Sequence, residues 1–188
     1  MTYFAREAPK FMSREQAEKL FHSQLSKDKK TLDLTAMHMG EIGAKDVANT
    51  ESIKDITTLE FGNNLCGPKG ARHISKSPYL TQLTSLNMYY NRIQDEGCKH
   101  IAVSNNLLSL RNLNLSNNEI SDEGAILLAK FLPLFSNLIR LDVRFNRLKE
   151  EGKNTLLEAQ KKCELKQLLL GTDEGFNVQE KGMKKNIH

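Results

Sequence analysis

Residues Leu110–Leu132 read LRNLNLSNNEISDEGAILLAKFL, and the apolar period changes part-way along the stretch. Leu113 and Leu115 alternate with Asn112, Asn114 and Ser116, the period of a short strand with two side chains turned inward. Asn118 and Ile120 follow. After Asp122, Glu123 and Gly124, the apolar residues recur at helical spacing up to Leu132. One strand, one turn and one helix are therefore written in series.

The same phrase occurs upstream and downstream. The preceding copies are Leu86, Met88, Asn91, Ile93, Gly97; Leu59, Phe61, Asn64, Cys66, Gly70; and Leu32, Leu34, Met37, Met39, Gly43. The following copy is Leu141, Val143, Asn146, Leu148, Gly152, and a sixth begins at Leu168 and Leu170, with Asp173 in the asparagine position. The anchors at 32, 59, 86, 113, 141 and 168 are separated by 27, 27, 27, 28 and 27 residues. A single unit of this kind cannot bury its apolar side alone, so repetition implies stacked coils sharing one core.

Each recurring residue has a physical reason. The asparagine leaves the sheet and offers a side-chain amide to buried backbone groups that the turn leaves unpaired. The acidic pairs Asp95-Glu96, Asp122-Glu123 and Glu150-Glu151 fall where a helix begins, and carboxylates favour that end of its dipole. They resemble acidic metal loops, but their constant phase in the coil favours the helix-start reading. The glycine that follows permits either a close backbone approach or an unusual torsion.

On these motifs the chain resembles the leucine-rich repeat family, ribonuclease-inhibitor-like class, over roughly Lys29 to Gly171. The resemblance implies an α/β fold: a right-handed solenoid of about six strand–helix coils, with a concave parallel sheet, helices outside, and protein ligands on the concave face. Met37 departs from the asparagine pattern, and the last copy has no full helix signal after Gly171; atypical terminal coils are expected where the core edge must be shielded.

Three parts follow: residues 1–28 as an N-terminal segment and capping helix, 29–173 as the solenoid, and 174–188 as a tail. Ser13 and Gln16 fit a capping box, and Ala17, Leu20, Phe21 and Leu25 then share one helical face, expected to cover the first coil. That face is alternatively a partner-binding helix. Residues 1–10 and the tail are expected to be loose, with Phe176 or Val178 as a pin on the final coil.

Composition bounds the function. The 188 residues suit one domain, and with no Trp the packing falls to aliphatic side chains. The net charge of +4 is too small to point to nucleic acid by itself. Cys66, Cys98 and Cys163 are odd in number and far apart, which suggests a reducing compartment rather than a disulfide framework. The first 12 residues lack the apolar run of a signal peptide, so a cytoplasmic location is expected, or a host cytosol if the chain is a delivered bacterial effector. The histidines show no HxxxH spacing, and no phosphate-binding or nucleophile motif occurs. No catalytic residue, cofactor or metal is expected.

Binding is expected on residues that point outward from the sheet. Among these, Tyr89, Tyr90, Arg140, Arg144 and Phe145 stand out, since Tyr and Arg dominate interface hot spots. Asp142 and Glu60 at the rim, with Asn87, complete the expected site for a protein partner, bound by a monomer. Tyr90 and Phe145 have a second reading, in which they fold over the sheet edge and pack against the next loop. Six strands ~4.8 Å apart make a sheet roughly 25–30 Å wide, and a standard interface takes about 800 Å² per partner. Loops after the asparagines or the N-terminal helix would then contribute too. Two other functions are weighed: a GTPase activator using Arg144 or Arg92, and an RNA binder stacking bases on the tyrosines, which the acidic outward column opposes.

Overall fold

The computed structural model describes residues 12–171. The expectations for residues 1–10, Asp173 and the tail, including Phe176 and Val178, lie outside the described residues.

Six three-residue strands alternate with helices. The strands are β1 (Thr31–Asp33), β2 (Thr58–Glu60), β3 (Ser85–Asn87), β4 (Asn112–Asn114), β5 (Arg140–Asp142) and β6 (Gln167–Leu169). The helices are α1 (Arg14–Ser23), α2 (Gly40–Asn49), α3 (Gly67–Ser75), α4 (Gln94–Ala102), α5 (Asp122–Phe131) and α6 (Glu150–Gln160). The strands form one parallel sheet in sequence order. Leu32, Leu59, Leu86, Leu113, Leu141 and Leu168 are successive register partners. The α/β leucine-rich repeat solenoid is thus the observed fold, and the anchors found by spacing are its rungs.

Each strand starts one residue before the paired apolar positions. The rung leucine is its middle residue, and the second apolar residue (Leu34, Phe61, Met88, Leu115, Val143) lies just past its end, still buried. Inter-coil backbone bonds continue there, from Leu34 N to Glu60 O and from Leu115 N to Asp142 O, both 2.8 Å. The core is aliphatic with two fully buried phenylalanines, Phe21 and Phe61.

The asparagines act between coils. Asn118 Oδ1 accepts from Asn91 N at 2.8 Å and Ile93 N at 3.3 Å, while its Nδ2 donates to Met88 O and Ser116 O. Asn64, Asn91 and Asn146 do the same for the coil before each. This explains Met37. The repeat asparagine closes the preceding coil, and the first coil has none.

The glycine alternatives resolve in favour of close approach. A Cβ on Gly97 would stand 3.1 Å from Ala71 Cβ, and one on Gly152 would collide with Asp122 Oδ1. None of Gly43, Gly70, Gly97, Gly124 and Gly152 has a positive φ. The first carboxylate of two acidic pairs also works across coils: Asp95 Oδ1 accepts from Ser121 N at 2.8 Å, and Asp122 Oδ1 from Lys149 N at 2.8 Å and Gly152 N at 3.1 Å. Proximity to the helix dipole is therefore only part of their role.

The capping box is present: Ser13 Oγ accepts from Gln16 N, and Gln16 Oε1 from Ser13 N. Ala17 and Phe21 of α1 are buried. The chain after α1 then lies antiparallel along β1 through Leu25 and Leu32, with Ser26 N donating to Thr31 O. It occupies an edge that would otherwise expose unpaired backbone groups.

Candidate partner-binding face

The face of the sheet away from the rung leucines presents two outward residues per strand. On four of the strands the second of the pair also shapes the chain. Asp33, Asn87, Asn114 and Asp142 each accept, through Oδ1, the backbone N–H two residues on. These Asx turns end the strand. The chain then passes through left-handed residues at Ala36, Asn63, Tyr90, Asn117 and Phe145, with φ between 51° and 58°.

That geometry separates the eight predicted site residues. Glu60, Asn87, Arg140 and Asp142 line one shallow depression of about 290 Å³ across β2 to β5, together with Ser85, Asn112 and Asn114. Asn112 and Asn114 alternate with the inward leucines in the sequence, and nothing in their identity singles them out. Tyr90 and Phe145 are 42% and 47% exposed on the same rim of the sheet. Neither ring is buried against the next loop. Tyr89 is half-buried, with its ring against Gly62 of the coil before, where an added Cβ would overlap it.

Asp142 was expected at an open rim. It is instead only 2% exposed. Arg144 closes over it, with Nε 2.9 Å from Oδ1 and Nη2 2.6 Å from Oδ2. The carboxylate beside it raises the Arg144 pKa above the usual guanidinium value. The guanidinium also lies 5.8 Å from the centre of the Phe145 ring. Arg140 remains exposed, 3.9 Å from Asp142 Oδ2. Glu60 Oε2 accepts from Asn87 Nδ2 at 2.7 Å. Of the two arginines considered for GTPase activation, Arg144 is held by Asp142, and Arg92 stands 3.9 Å from Glu119.

A second depression, about 250 Å³, lies on the helical side between the C-terminal ends of α2 and α3, with Arg72, His73 and Lys76 in its lining. Burial lowers the His73 pKa, opposed by Glu41 and reinforced by Lys45 and Arg72. Arg72 and His73 occupy the last turn of α3, where the charged Arg72 offsets the helix dipole. Beneath them runs a feature the sequence reading missed. Ser77 Oγ donates to Ala48 O and Ser104 Oγ to Ser75 O, both at 2.6 Å. Their 27-residue separation marks a second ladder, of hydroxyls at helix C-termini.

Among the described residues no three His, Cys, Asp or Glu side chains gather as a metal-binding group, and no helix is long and apolar enough to cross a membrane. Burial pushes the Cys66 and Cys98 thiols up to about 12. Thiolate is the reactive form, so at pH 8 an alkylating reagent is expected to modify the half-buried Cys163 in the native protein and all three cysteines after denaturation. Peptide mapping by mass spectrometry reads this out; equal native labelling of Cys98 would contradict the closed core.

The leucine-rich repeat family model matches residues 79–102 and 106–129, the third and fourth coils. The chain is similar to leucine-rich repeat proteins over those two stretches, which supports a protein of that kind. Such repeats are generally protein-interaction modules, and the family is typically non-enzymatic. A comparison with curated proteins gives no match.

Proposed function

We propose that this leucine-rich repeat chain, of the ribonuclease-inhibitor-like class, is a protein-interaction module that takes a protein partner on the open face of its sheet. It acts as an intracellular adaptor or as a bacterial effector delivered to host cells. One α-helix per 27- or 28-residue coil supports the class. The site proposed is the depression with Glu60, Asn87, Arg140 and Asp142 at its walls and Tyr89, Tyr90, Arg144 and Phe145 beside it.

One observation carries the reading. Tyr90 and Phe145 are large, exposed and held at positive φ, a combination that is sterically unfavourable for bulky side chains. The equivalent residues Asn63 and Asn117 are of a type that tolerates this backbone. Folding does not call for an aromatic side chain there, whereas partner binding gains large contact area from it.

The test follows from the repeat itself. A Tyr90→Asn, Phe145→Asn double variant should keep or slightly raise thermal stability, because asparagine already serves at that turn. Binding of a partner isolated with the wild-type chain, then remeasured as a purified protein by calorimetry, should weaken about tenfold or more, the scale of one lost hot spot. Undiminished affinity with an intact fold would move the site elsewhere.

A further inference from the structure

The open face is polarised along the solenoid axis. On its two outward strand columns, β1 and β2 bear Asp33 and Glu60, and β5 bears Arg140 and Asp142. Between them β3 and β4 offer only Ser85, Asn87, Asn112 and Asn114. Asp142 is no free pole, since it is buried beneath Arg144. One carboxylate between two guanidiniums leaves a surplus positive charge, and Arg140 is the exposed member. The depression therefore has an anion at its β2 wall and a cation at its β5 wall. Its floor is amides and one hydroxyl, of which Ser85 Oγ, the Asn112 side chain and Asn114 Nδ2 have no hydrogen-bond partner among the described residues.

β2 and β5 are three strand spacings apart, about 14 Å. An extended peptide rises ~3.4 Å per residue, so four residues span that distance. In an extended chain residues i, i+2 and i+4 share one face. The two poles and the peptide period therefore agree. We propose that the depression takes an extended peptide segment of a protein partner, laid across the strands. It places an acidic side chain over Arg140 and a basic one four residues away over Glu60. Residue i+2 then faces the Ser–Asn floor, which favours a small polar side chain. The floor donors serve the carbonyls of the segment. This rests on the open face being the binding face.

The probe is a phage-displayed library of linear nine-residue peptides, panned against the full chain at low salt. The wild type should enrich opposite charges at i and i+4. A Glu60→Lys, Arg140→Glu variant should enrich the same spacing with the charge order inverted. A synthetic peptide chosen on the wild type should bind Arg140→Gln about tenfold more weakly and lose affinity as salt rises. Circular dichroism of each variant reports whether it is folded, and Arg140→Gln, a milder change than the swap, serves if the swap misfolds. If peptides depend on Tyr90 and Phe145 but are indifferent to both charge changes, the charge-register proposal fails while the binding face stands. If enriched peptides ignore all of these variants, both fail. If nothing is enriched above background, the peptide proposal is overturned.

Discussion

Replacing Asn118 by alanine is expected to remove about 4 kcal/mol of stability, because two buried N–H groups lose their only acceptor at ~1–3 kcal/mol each. Those donors are Asn91 N and Ile93 N, which both reach Asn118 Oδ1. The two carbonyls that Asn118 Nδ2 serves lose less. Met88 O keeps Asn91 Nδ2 at 3.1 Å, and Ser116 O keeps Tyr90 N at 3.0 Å. Asn118 is fully buried, so water does not replace its amide without opening the coil. For a chain this long each kcal/mol shifts the melting temperature by roughly 2–4 °C, so a fall of about 8–16 °C is expected. Met37→Asn in the first coil should do nothing comparable, because no earlier coil waits for its amide. Thermal melts followed by circular dichroism decide the matter. A fall of less than about 3 °C for Asn118→Ala would mean that the ladder is ornamental and that leucine packing alone sets the coil spacing.

The same ladder shows what the sequence could disclose. Residues that repeat with the coil act on neighbouring coils, and a constant 27-residue step exposes them even when their partners are unknown. The leucine rungs and the asparagines were legible for that reason, and the capping box at Ser13 from its own local spacing to Gln16. Strand limits were not. The period of two locates Leu32 and Leu34 but says nothing of the Asx turn at Asp33 that bends the chain one residue early. Gly124 and Gly152 were legible as special and not as partners of Asp95 and Asp122, because that contact pairs different phases of adjacent coils. Ser77 and Ser104 repeat faithfully, yet small hydroxyls are common enough that two of them did not stand out. For the proposed binding face, alternation put Glu60, Asn87, Arg140 and Asp142 on one surface, and they line one depression. It could not tell that Asp142 is sealed by Arg144, since residues two apart in the chain meet only after the turn folds.

That sealed pair leads to the second large effect. Arg144→Ser should cost about 2–4 kcal/mol, somewhat less than the ~3–5 kcal/mol for breaking a fully buried ion pair, because the guanidinium is partly solvated. The carboxylate of Asp142 would keep Arg144 N as a donor and Arg140 at longer range, and lose its bidentate partner. The fourth coil already contains the remedy. At the corresponding positions it has Asn114 and Ser116, joined by the same Asx turn with no charge involved. Adding Asp142→Asn to Arg144→Ser reproduces that pair and should restore most of the lost stability. Urea unfolding of the two variants at pH 7 tests both statements. If Arg144→Ser alone is as stable as the double change at pH 7, Arg144 is not needed to neutralise Asp142. It would then be free to meet a partner, and the positive pole of the open face would comprise two arginines rather than one.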